Sequence, residues 1–185
     1  MVLRQKTSII EYQTEYLHSI QTDLKPHLLY YILMRMLNDL YSELSNYPSP
    51  KKFLNKLPDS IDVLGVGSAR LVIQDPHNSN NVIKMGVGRG INQNKNEVKV
   101  LEQARKKNIS NILLPILDTG ENDKWIKMPK VSADSSLEKL SGPNSREIYD
   151  ILEKNGITLY ELETCNFNED YVAFDYGAVK NIQGL

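Results

Sequence analysis

Apolar positions along this chain recur with two periods, and the places where the period changes mark its elements. At the N-terminal end the spacing is helical. Ile9, Tyr12, Tyr16, Ile20 and Leu24 stand three to four residues apart and share one face. A wider stripe follows Pro26: Leu29, Ile32, Leu33, Met36, Leu37, Leu40 and Leu44. Pro26 suits a first helical turn, where its missing N–H would have had no partner. The two stripes predict an N-terminal helical hairpin whose apolar side either packs on the rest of the chain or meets a protein partner. Pro48-Ser49-Pro50 ends the second helix, Lys51 to Leu57 reads as a linker or a helical turn, and Pro58 precedes an extended segment.

From there the period shortens to two. Ile61-Asp62-Val63-Leu64, Leu71-Val72-Ile73-Gln74 and Val82-Ile83-Lys84-Met85 read as three strands joined by turns rich in Gly, Pro, Asn and Ser. Met85 to Gly90 holds a second glycine cluster, expected as a flexible connector, with a phosphate-binding helix start as the alternative. A helix is expected from Gln93 to Lys107, with Val98, Leu101 and Ala104 inward. Ile112 to Asp118 reads as a strand, with Pro115 marking an edge or bulge, and Lys124 to Met128 as another. Ser135 and Glu138 have capping-box spacing for a short helix; Asn144 and Glu147 repeat it for a longer one through Lys154, closed by Asn155-Gly156. Ile157 to Asn166 follows neither period, and Tyr171 to Phe174 is a short strand that delivers Asp175-Tyr176-Gly177. The expected class is α+β: a five-stranded antiparallel sheet with one helix between its third and fourth strands, a small helical part after it, and the N-terminal hairpin before it. The expected divisions are 1–57, 58–131 and 132–185.

Composition narrows the classes. The chain has 185 residues, enough for one domain with an appendage and for a core of useful size. A net charge of −1 and no basic excess give no strong nucleic-acid signal. Cys165 is the single cysteine, so no internal disulfide forms, which suits a reducing compartment. His18, His27 and His77 have no zinc-site spacing. Arg4 and Lys6 lead into mixed polar sequence rather than the apolar core of a signal peptide. The most apolar run, Leu28 to Leu40, is interrupted by Arg35 and Asn38 and is too short to span a bilayer. A cytoplasmic protein away from membranes is expected.

Candidate chemistry begins at Lys84, because a lysine inside an apolar strand is costly unless an anion meets it. Glu97, on the inward edge of the following helix, is the candidate partner; the alternative is a solvated glutamate. Gly65 and Gly67 have no Cβ, so the backbone between the first two strands can approach a phosphate chain or make a tight turn. Asp175 at a strand end suits either a metal ligand or a turn.

In this order the parts resemble the protein-kinase-like fold. Gly65-Val66-Gly67-Ser68-Ala69-Arg70-Leu71-Val72 resembles the glycine-rich loop, Val82-Ile83-Lys84 the third-strand lysine motif, and Asn96-Glu97-Val98-Lys99-Val100-Leu101 the helix that carries the paired glutamate. Met128-Pro129-Lys130-Val131 falls where a hinge contacts adenine, and Phe174-Asp175-Tyr176-Gly177 resembles the metal-binding aspartate motif. The resemblance implies a kinase-like small lobe over 58–131, a reduced C-lobe over 132–185, and a site for ATP and Mg²⁺. Gly65, Val66, Gly67, Ser68, Val72, Lys84, Glu97, Met128 and Lys130 would bind the nucleotide, and Asn166 and Asp175 the metal. Lys84, Asp175 and Glu161 would serve catalysis, with Glu161 in the place of the family's base aspartate and Glu163 as its rival. Two departures stand out. Arg70 replaces the loop's third glycine, and a glutamate replaces the catalytic aspartate. The implied activity is phosphoryl transfer to a small molecule, a protein or the chain itself; the alternative is a pseudokinase or interaction module without transfer.

Overall fold

A computed structural model describes residues 26–131, 143–160, 173 and 175–183. Its centre is a five-stranded sheet in the order β1-β2-β3-β5-β4, antiparallel throughout. The strands are β1 (Val63–Val66), β2 (Arg70–Asp75), β3 (Asn78–Gly86), β4 (Asp118–Thr119) and β5 (Trp125–Pro129). Three helices of the described residues contribute most to its packing: α1 (Pro26–Ser45), α3 (Arg89–Lys106) and α4 (Pro143–Lys154). The short α2 (Pro50–Phe53) and a 3₁₀ turn (Leu54–Lys56) fill the segment between α1 and the sheet.

Strand alternation decides what each face of the sheet meets. Leu71 and Ile73 of β2, Ile83 and Met85 of β3 and Trp125 of β5 turn to one face. There they pack with Leu33, Met36, Leu37, Leu40 and Leu44 of α1 and with Phe53 of α2. The α1 stripe is therefore spent on the sheet, the first of the two outcomes its sequence allowed. Ile126 and Met128 turn to the other face. They join Val100, Leu101 and Ala104 of α3, Ile148 and Leu152 of α4, and a two-stranded sheet of β6 (Ile157–Leu159) and β7 (Val179–Ile182). No described helix is long and apolar enough to cross a membrane.

Two expectations need correction, and one stretch that follows neither period takes a definite form. The strand expected from Ile112 to Asp118 survives only as Asp118–Thr119. Before it, Leu113 bridges in parallel to Ala173, the Leu114 amide donates to the Ala173 carbonyl at 2.7 Å, and only from Leu117 does the chain bond to Lys127. Pro115 sits in the gap between the two pairings, where it has no N–H to give to either. The second glycine cluster is a packed junction rather than a flexible connector. A Cβ on Gly90 would land on the carbonyl oxygen of Ala69, and one on Gly86 on the Gly90 backbone. The Val87 amide also donates to Ala69 at 2.8 Å, so α3 starts at Arg89, earlier than its apolar period suggests. Finally, Ile157–Leu159, which followed neither period, is a strand, and Gly156 ahead of it has φ +81°. The first helix of the N-terminal hairpin, the helix expected at Ser135–Glu138 and all but Ala173 of the strand at Tyr171–Phe174 lie outside the described residues.

Candidate functional site

The sheet face turned away from α1 carries Arg70 and Lys84. Lys84 stands opposite Val72 of β2 and Ile126 of β5, and the whole residue is 7% exposed. Its partner comes from α3, whose Asn94, Glu97, Val100, Leu101 and Ala104 are buried at helical spacing. Asn94 fastens this helix: its side-chain amide donates to the carbonyls of Lys84 at 3.2 Å and Lys124 at 3.3 Å. One turn on, Glu97 accepts from the Lys84 ammonium at 3.2 and 3.3 Å. The sequence pairing of Lys84 with Glu97 is present.

Arg70, the first residue of β2, completes the group. It shares a face with Val72, and its guanidinium donates through one nitrogen to Glu97 and through the other to Asp175. Asp175 also lies 3.8 Å from the Lys84 ammonium. The next two residues hold it there. Tyr176 is fully buried and donates from its hydroxyl to the Leu114 carbonyl at 2.7 Å. Gly177 lies so close to α3 that a Cβ would come within 2.6 Å of the Gln93 carbonyl oxygen, while Asn96 donates to the Gly177 carbonyl at 3.1 Å. Arg70, Glu97, Lys84 and Asp175 form one ring of alternating charge, two of each sign.

The ring separates the properties of its carboxylates. Burial pushes the Glu97 carboxyl up, and the opposing pull of Lys84 and Arg70 does not cancel it. Burial acts in the same sense on Asp175, but there Lys84 and Arg70 outweigh it and hold the carboxyl below its ordinary value. Arg70 is partly desolvated, yet the two carboxylates raise its pKa further. Burial, with Glu97 nearby, pushes the Tyr176 hydroxyl up.

Beside the ring is a cavity of about 390 Å³. Leu64, Val72, Val82 and Met128 line it from strands β1, β2, β3 and β5, Leu114 from outside the sheet, and Pro129, Lys130 and Val131 along one edge. Arg70, Lys84 and Asp175 form its charged end. Apolar walls with a few convergent polar groups are typical of small-molecule sites. At the edge, Pro129 has no N–H and the Lys130 amide donates to Asn80 at 2.6 Å, so neither offers an amide to a ligand. The Lys130 ammonium turns aside to Gln74 at 2.7 Å.

Of the residues expected to bind a ligand, Val72, Lys84, Met128, Lys130 and Asp175 meet at this cavity. Glu97 stands behind Lys84. Gly65 and Val66 end β1, Gly67 and Ser68 begin the turn to β2, none of the four lines the cavity, and the Ser68 hydroxyl accepts from Arg89. The sequence reasoning missed Leu64, Val82 and Leu114, and above all Arg70. Alternation with Lys84 was the signal available for Val82. For Arg70 it was the replacement of a loop glycine by a residue that needs an anion. Glu161, Glu163 and Asn166 lie outside the described residues.

The magnesium implied by the resemblance can be tested against Asp175 alone of its two expected ligands. Asp175 faces a guanidinium and an ammonium, the wrong surroundings for a divalent cation. Among the described residues no three His, Cys, Asp or Glu side chains converge as a cation site. With the ring as it stands, these residues do not fit the metal. Compared with known proteins, the chain matches no protein-family model, and no curated protein matches it.

Proposed function

We propose that this chain is a kinase-like nucleotide-binding protein and that ATP occupies the cavity. One observation carries the reading: a buried lysine, held by a buried glutamate, stands at the charged end of an otherwise apolar cavity. The apolar walls suit a flat base and the charged end suits phosphates. The end of β1 supports the same placement. A Cβ on Gly65 would meet only the Val72 side chain, at 3.8 Å, and neither Gly65 nor Gly67 has a positive φ. Packing leaves room beside Gly65 for a ligand to lie against its backbone, next to the register shift between Val63 and Gly65. Phosphoryl transfer would further need a proton acceptor beside the phosphates, the place the resemblance gives to Glu161.

A thermal-shift titration with ATP tests the reading. Ligand at about a hundred times Kd stabilises the folded state by roughly 2.7 kcal/mol. The parent should therefore melt several degrees higher with ATP, and Lys84→Met should lose the shift while keeping its circular dichroism spectrum. Equal shifts in parent and variant would place ATP elsewhere.

A further inference from the structure

We infer that Arg70 takes the part of the divalent cation, so that this cavity binds a nucleoside polyphosphate without a metal; the inference rests on the nucleotide reading above. Arg70 is on the cavity wall, at the same end as Lys84 and Asp175, and its side chain is 11% exposed. It grips the carboxylate that a metal would use, and Glu97 fixes it from behind. A cation entering at Asp175 would have to displace a guanidinium that two carboxylates hold, or stand against both it and Lys84.

Without Arg70, the ring would hold two carboxylates and one ammonium, a net negative end that repels phosphates until a metal neutralises it. With Arg70 the four charges sum to zero before any ion binds. The guanidinium stays protonated at any working pH, and its planar fork suits phosphate oxygens. Each of the nitrogens that serve Glu97 and Asp175 carries a second N–H, so a phosphate can be met while the ring stays closed. The geometry also explains why an arginine is tolerated where the resemblance expects glycine. Arg70 pairs with Gly86 across β2–β3 and points along the Lys84 face, rather than over the turn.

Isothermal titration of the full chain with ATP decides the matter, at constant ionic strength, once in EDTA and once in excess Mg²⁺. The parent should bind ATP in EDTA at least as tightly as in Mg²⁺. Arg70→Gln, which keeps most of the stem, should weaken binding in EDTA by at least about tenfold, the usual worth of a hydrogen bond to a charged group. Parent binding that needs Mg²⁺ would overturn the inference and leave the nucleotide reading standing. Undiminished binding by Arg70→Gln in EDTA would also overturn it. No binding by the parent in either buffer would overturn the nucleotide reading and this inference with it. Should Arg70→Gln fail to fold, the parent's two titrations still decide.

Discussion

At the scale of single residues, the ring has opposite effects on its two acids, and pH should separate them. Asp175 is held low, so its contribution to stability is complete above the ordinary carboxylate range, about pH 4, and fades as pH falls through the lowered value. Glu97 is pushed up, so its ionised form costs stability at neutral pH, and that cost is relieved on acidification. Removing only the first effect should flatten the acid limb. Urea midpoints between about pH 5 and 3 should fall less in Asp175→Asn than in the parent; parallel curves would show that Asp175 contributes nothing through its charge. The pairing of Lys84 with Glu97 was legible in sequence because a lysine in an apolar strand demands an anion and a glutamate follows on an inward helix edge. The link from Arg70 to Asp175 was not, because 105 positions separate them and only the folded chain brings them together.

Among the elements, α3 matters most to the site, since it brings Glu97 to Lys84. Its seat is the Gly86–Gly90 junction, where backbone lies against backbone and no side chain can give way. Gly90→Ala must push α3 off Ala69, and overpacking of that kind costs about 1–3 kcal/mol. Chemical denaturation measures it, and an unchanged stability would show that the junction can relax freely. The same junction marks a limit of pattern reading. A packed glycine and a flexible one look alike in sequence; what distinguishes them is the backbone they touch. Apolar period did predict α1, the body of α3 and four of the five sheet strands, and the capping spacing of Asn144 and Glu147 predicted α4. The apolar reading overran at Ile112–Asp118, a continuous apolar run that reads as a strand but whose backbone pairs first with Ala173 and then with Lys127.

For the molecule as a whole, the sheet divides two tasks. One face is closed by α1 and buries Trp125, Ile83 and Met85; the other holds the charge ring and the cavity. The α1 stripe was legible as apolar, but not its destination, since packing inward and meeting a partner call for the same residues. The cavity needs Leu64, Val82 and Met128 of the sheet, Leu114 beyond α3 and Asp175 near the far end of the described chain, so no single stretch of sequence could announce it. Its central claim, that ATP lies between these parts, is tested most directly by ¹⁵N-resolved NMR of the full chain during titration with ATP. The account predicts shift changes that cluster at Leu64 to Val72, Lys84, Met128 to Val131 and Asp175 to Gly177. Changes confined to α1 and the opposite face of the sheet, or none at millimolar ATP, would contradict it.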